Sequence, residues 1–445
     1  MRRIFSDHAY ADDRIKGCYW AETVPDNALD RRPLQEEVSI DVAVIGAGFT
    51  GLSTALHLAN AGAKVAVLDT KFPGWGASGR NGGFCCLGGA ALDDRSMDKL
   101  VGRPARLKWR QAEKTAINLV AQLLKTHKIE ASVHSSGETI LAHSGHSARF
   151  ENEASACREN YGIAPEIIAK NELLDKGFGG TFHQAMTIPL GFALDPRQYL
   201  KGLLDAAEQA GVMVFGHAPV RRMKRDGRRW CLDVADGLVR ADQVVIATNG
   251  YSSEDVPDWM AARYMPAQSS VMVTRPLTQD EQEAQGWTSD QMAYDTRRLL
   301  HYFRKLPNGR FLFGMRGGLR STRRSETANR RLIRRDFEAM FPAWRHVETT
   351  HYWSGMVCLS ARLVPFAGPV PEMPGVYAGF AYHGNGVAMG SYTGALLAEQ
   401  LSGQAKDTVI PKIMQTPARR FPLGRFRRAL MFPAYAVYGA LDKFG

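Results

Sequence analysis

No stretch of this 445-residue chain keeps about 18 apolar residues together, so no helix is expected to span a bilayer. The opening MRRIFSDHAYADDR carries arginines but no apolar segment after them, which argues against a secretory signal. Cysteine is sparse. The six (Cys18, Cys85, Cys86, Cys157, Cys231, Cys358) show no metal-ligand spacing, and the adjacent Cys85 and Cys86 form a poor disulfide pair. Reduced thiols in a cytoplasmic setting are the simplest reading. His143 and His146 have no neighbours suggesting a metal, so none is expected.

Acidic side chains are also in deficit. Asp and Glu number 45 against 56 Lys and Arg, leaving a net charge of +11. The excess concentrates in Arg316–Arg335 and Arg419–Arg428. Solvated helix faces are the plainer explanation; an anionic substrate, an acidic partner or a membrane surface are the sharper ones. Nucleic acid is disfavoured because no recognition motif accompanies the basic runs. With 45% hydrophobic and 23% charged residues, the chain has ordinary globular composition and room for two or three cores.

What is present is concentrated in residues 38–69. An apolar strand, Val38–Ile45, runs into Gly46-x-Gly48-x-x-Gly51, then an amphipathic helix, then a second apolar strand ending on Asp69. Gly46 permits the tight turn, Gly48 lets backbone approach a pyrophosphate, and Gly51 lets helix and strand pack closely. The helix N-terminus offers N–H groups and partial positive charge to phosphates. Asp69, 23 residues after Gly46, stands where a carboxylate accepts both ribose hydroxyls.

Two more glycine elements follow. Gly74–Gly89 holds seven glycines in sixteen residues, interleaved with Trp75, Arg80 and Phe84 as a linker would not be. Val376–Gly390 reads as strand, glycine turn and then helix Val387–Leu401, its backbone N–H groups at Gly384–Val387 aimed at an anionic or carbonyl-bearing ligand. Between them, residues 97–130 have helical spacing, and residues 132–190 mix short strands with a helix near 145–160. Asp195-Pro196 opens a helix (Arg197–Ala210) ended by Gly211, and Val212–Phe215 is a short strand. Val220 starts a ladder that includes Trp230–Val234, and Ala241–Gly250 is a buried strand running into a polar turn. Ser269–Thr274, Leu299–Arg304 and Arg310–Met315 read as a second sheet, followed by a helix Asn329–Phe341.

These pieces, DVAVIGAGFTGLSTALHLA, VLD, GASGRNGG, LDP before a helix, VVIATNG and GFAYHGNGVAMGSYTGALLAE, make residues 38–404 resemble the flavoprotein family of D-amino-acid oxidase, glycine oxidase and sarcosine oxidase. The loop Ser78–Gly83, and Trp353-Ser-Gly355 before Arg362–Pro369, are most similar to the gamma-glutamylputrescine oxidoreductase-like members. The resemblance implies an α/β fold: a Rossmann-like FAD-binding domain built from discontinuous segments, plus an α+β substrate domain with a large mixed or antiparallel sheet. The segments are 1–37 as an N-terminal arm; 38–95, 191–258 and 355–404 for FAD; 96–190 and 259–354 for substrate; and 405–445 as a basic, aromatic tail. That tail reads as a packed cap or subunit contact ahead of a peripheral membrane anchor.

By the same resemblance, Gly46, Gly48 and Gly51 contact the pyrophosphate and Asp69 the ribose. Ser78, Arg80, Asn81 and Gly83 lie beside pyrophosphate and flavin. Val220 meets the adenine through its backbone, with Thr248, Asn249 and Gly250 nearby. Gly384, Asn385, Gly386 and Val387 line the pyrimidine edge of the flavin, where fixed donors stabilise negative charge. The position of a covalent histidine in some relatives falls on Arg80, and that of a covalent cysteine near Trp353, so noncovalent FAD is expected. Cys85, Cys86 and Cys358 are outside candidates for attachment.

The implied reaction oxidises a C–N bond. A neutral amine loses hydride to flavin N5, the imine is hydrolysed to a carbonyl compound and an amine, and dioxygen or another acceptor reoxidises the flavin. A gamma-glutamylputrescine-like or N-substituted amino acid substrate is favoured; a dehydrogenase, and a flavoprotein acting on a tRNA base, are the alternatives. His383, Arg316 and Tyr302 are the candidate substrate contacts, with Tyr264 a further pocket residue. Arg316, at a strand end, suits a bidentate carboxylate.

Overall fold

The structure, a computed structural model, describes residues 1–145, 148–403 and 411–444. His146 and the first part of the tail lie outside them.

Two eight-stranded sheets carry the architecture. In the first, Glu37–Ile45 pairs in parallel with Val65–Leu68 on one side and Gly237–Ile246 on the other. Met213–Phe215 extends one flank and Val376–Phe380 the other, both in parallel. The hairpin of Val220–Asp226 and Arg229–Val234 joins antiparallel beside Gly237–Ile246. Strands from three distant stretches therefore share one sheet, as a discontinuous nucleotide domain requires. Val65–Leu68 is buried throughout, the pattern of a parallel strand covered on both faces.

Helices Phe49–Asn60 and Ala388–Ser402 cover one face of this sheet. Their crossing needs Gly394, whose Cβ would fall 2.5 Å from the Thr50 carbonyl oxygen. Asp195 caps helix Pro196–Gln209, accepting from the Arg197 and Gln198 N–H groups at 2.8 and 3.0 Å.

The second sheet is antiparallel except where Met292–Asp295 meets Glu138–Leu141. One face carries an aromatic core in which Phe303, Phe311, Phe313, Phe337, Phe341 and Trp344 pack ring to ring. Its edge strand, Thr349–Leu359, stays paired with Met265–Thr274 as far as Leu359. The segment boundary expected at 355 therefore falls inside a strand of this sheet.

Two helix assignments are corrected. The helix expected over 97–130 is two, Asp94–Val101 and Arg103–Thr126, broken at Gly102 with φ +82°. The helix expected at Asn329 begins at Arg323, capped by Thr322.

Candidate active site

A cavity of about 360 Å³ lies between the two sheets, and all three glycine turns reach it. At one end, Asp69 accepts from the N–H groups of Ala47 (2.8 Å) and Lys71 (3.0 Å). Burial nevertheless pushes its carboxyl up to about 6. Gly46, with φ +106°, and Gly48 form the floor. Ser78 stands opposite, its Oγ accepting from Phe49 N–H at 3.0 Å. A Cβ on Gly48 would sit 2.8 Å from that Oγ, so only glycine keeps this passage open.

The loop from Gly74 is pinned from several sides. Asn81 Oδ1 accepts from Gly83 N–H at 2.8 Å, Trp20 donates to the Asn81 carbonyl at 2.9 Å, and Trp353 to the Arg80 carbonyl at 2.8 Å. Arg80 is buried against Trp75, donating to the carbonyls of Arg14 and Ser354. Its Nη2 is buried without a partner at the cavity wall. Thr248 and Asn249 complete this side; Asn249 Oδ1 accepts from Ala381 N–H at 2.9 Å.

At the other end, Gly384, Asn385, Gly386 and Val387 lead into helix Ala388–Ser402. Not every N–H of this turn is offered inward, because Asn385 N–H donates to the Tyr382 carbonyl. Facing the turn are Arg316, Tyr302, Tyr294 and Leu300 from the second sheet and its connections. Tyr302 shares a hydrogen bond with Ser269 Oγ at 3.0 Å. Arg316 forms no ion pair among the described residues, and burial lowers its pKa. Arg316, expected at a strand end as a carboxylate contact, is a cavity-facing cation.

His383 lines the cavity, but its ring is committed elsewhere. Nδ1 meets the Gly89 carbonyl at 2.9 Å and Nε2 accepts from Ser360 N–H at 3.2 Å. Burial holds it neutral, with a pKa lowered to about 4. Both ring nitrogens are therefore engaged within the protein, while the residue itself stays at the cavity wall.

Five further expected positions do not line the cavity. Gly51 lies beneath the turn, where a Cβ would fall 1.8 Å from the Gly46 carbonyl oxygen; its role is packing. Gly83 backs onto Leu194 and Arg304. Val220 is buried at the start of its hairpin, and Gly250 faces Val357. Tyr264 is buried away from the cavity, donating to the Ser252 carbonyl. Among the residues sequence reasoning missed are Arg3 and Tyr10 of the N-terminal arm, Tyr251, Tyr294 and Leu300. None sits in a motif, and only the fold brings them to the cavity.

Against known proteins, the family model described as FAD dependent oxidoreductase matches residues 41–400. The chain belongs to that FAD-dependent family. It is 30% identical over 407 residues to a probable oxidoreductase OrdL of Rhizobium meliloti (strain 1021), covering 91% of this chain and 92% of the relative. It is 27% identical over 414 residues to gamma-glutamylputrescine oxidoreductase of Escherichia coli (strain K12), covering 93% and 95%. Among solved structures, glycine oxidase from Geobacillus kaustophilus superposes with a TM-score of 0.68 at 19% identity, covering 86% of this chain and all of that one.

The cavity fits the family's cofactor. Its glycine floor, the carboxylate of Asp69, the orphaned donor on Arg80 and a helix N-terminus at the far end are the donor and acceptor set an elongated dinucleotide needs.

Proposed function

We propose that the protein oxidises the C–N bond of a small amine or amino acid that bears a carboxylate. A gamma-glutamylputrescine-like molecule or an N-substituted amino acid is the favoured substrate. The observation that carries this reading is Arg316: a half-buried guanidinium in the cavity wall, free of any carboxylate among the described residues. Its Nη2 is held by the His383 carbonyl, which aims the remaining N–H donors at substrate. The relatives agree in kind, since glycine and the glutamyl end of gamma-glutamylputrescine both carry carboxylates.

Bound FAD supplies the hydride acceptor. Asp69 and the turn at Gly46 and Gly48 would hold its ribose and pyrophosphate, with Ser78, Arg80 and Asn81 alongside. The turn Gly384–Val387 and the helix behind it would supply partial positive charge to the flavin edge on which negative charge develops. Tyr302 and Tyr294 wall the substrate end, and no strong base is required of the protein if the amine binds neutral.

Noncovalent cofactor binding fits the thiols. Cys86 and Cys358 line the cavity, but burial pushes both well above the ordinary thiol range, Cys358 to about 12. A tRNA base as substrate finds less support. Arg334 and Arg335 of the basic helix pair with Glu338 and Asp336.

The test is an oxygen-electrode screen of N-substituted amino acids, γ-glutamylated amines, free polyamines and D-amino acids, repeated with an artificial electron acceptor. Turnover confined to carboxylate-bearing amines supports the proposal; turnover of polyamines alone opposes it.

A further inference from the structure

Eleven large hydrophobic residues are exposed in the described structure, and six of them (Leu423, Phe426, Phe432, Val437, Tyr438 and Leu441) fall within its last 22 residues. Phe426 is 63% exposed and Val437 54%. They lie on the turn Gly424–Leu430 and the helix Met431–Phe444. At 100° per residue, Val437, Tyr438 and Leu441 share one face of that helix. The helix is anchored along the adjoining side: Met431 packs against Met265 and Ala267, and Asp442 accepts from the N–H groups of Arg298 and Leu299 at 2.7 and 3.0 Å.

Each exposed aromatic has an arginine beside it. The Arg425 guanidinium lies 4.7 Å from the Phe426 ring, Arg320 5.8 Å from Phe432, and Arg298 5.9 Å from Tyr438. None of the three forms an ion pair among the described residues. The sequence from Thr408 to Leu441 contains no Asp or Glu at all. The anchoring part of the tail is differently built: Arg427 is buried in a two-bond pair with Glu254, at 2.7 and 3.0 Å.

We propose that this ridge docks the protein on an anionic lipid surface, its apolar side chains entering the headgroup boundary and its arginines meeting lipid phosphates. An exposed apolar face in a field of unpaired cations is the composition of an interfacial helix. Charge selects this occupant over a second copy of the chain, because a two-fold contact would set arginine against arginine. The docked face would lie close to the substrate end, since Asp442 holds the loop whose next residue, Leu300, lines the cavity.

The experiment is flotation of the FAD-loaded full chain with phosphatidylcholine–phosphatidylglycerol vesicles and with phosphatidylcholine alone. Two variants accompany it: Phe426→Ser/Val437→Ser/Leu441→Ser, and Arg320→Glu/Arg425→Glu. Thermal melts and flavin absorbance check that both fold. The expected result is binding to anionic vesicles only, weakened by salt and by about tenfold or more in each variant. No flotation overturns the proposal. So does flotation that the serine variant leaves unchanged, or a dimer by light scattering that the serine variant dissolves.

Discussion

The guanidinium of Arg316 donates through Nη2 to the main-chain carbonyl of His383, 2.9 Å away. This bond joins the second sheet to the glycine turn of the first across the cavity. His383 itself is held at φ +51° by the contacts of its ring, so the acceptor is fixed before any ligand arrives. Replacing Arg316 by Gln keeps a donor for that carbonyl but removes the charge. The expected outcome is a rise in KM of about tenfold to a hundredfold for carboxylate-bearing substrates, from the loss of about 1.5–3 kcal/mol in a charge-assisted contact. Flavin content should be unchanged, and steady-state kinetics with flavin absorbance check both.

His383, buried, and His134, half-buried, both have pKa values lowered to about 4, desolvation being the larger cause in each. The unfolded chain, with histidines near 6.5, therefore binds more protons than the folded one between about pH 4 and 6.5. Stability rises with pH across that window and is lost on acidification. Each histidine contributes at most about 3 kcal/mol. His383→Asn should flatten part of this dependence in urea titrations, and activity should show no limb from His383 above about pH 5.

Glu138 has the opposite sign. Burial pushes it up to about 8, although Leu87 N–H donates to it at 3.2 Å. The folded state binds the extra proton between about pH 4.5 and 8, so stability falls as pH rises through that range. Glu138→Gln removes the ionisable group at nearly constant shape. Its advantage over the parent should grow with pH, reaching the order of 4 kcal/mol above about pH 8. Denaturant midpoints measured across pH decide it.

The glycines of the first turn should separate by role. Gly51→Ala drives a Cβ to 1.8 Å from a backbone oxygen and should abolish folding or cost more than about 3 kcal/mol. Gly48→Ala meets only the Ser78 side chain at 2.8 Å, so it should fold yet bind FAD at least about tenfold more weakly. Thermal melts and flavin titration distinguish the two.

The turns at Gly46, Ser78 and Gly384, the parallel strands between them and the capped helix at Asp195 were legible because each follows from local backbone chemistry. Other features were hidden for physical reasons. Helix Arg323–Met340 opens on a polar run, RRSETANRR, with no apolar period to mark its start. The break at Gly102 looks like an ordinary residue inside an amphipathic pattern. Thr349–Leu359 alternates too weakly to show where it ends, and its pairing partner is far away in sequence. At the site, the sequence could mark His383 as near the cavity. Only the bonds to Gly89 and Ser360 show that its ring is not free to serve substrate.

The most direct measurement is anaerobic mixing of the FAD-loaded protein with paired amines that differ only in one carboxylate, watching the flavin absorbance. The account predicts bleaching by the carboxylate-bearing member of each pair, and a matching loss of that preference in Arg316→Gln. Bleaching by neither member, or equally by both, would contradict it.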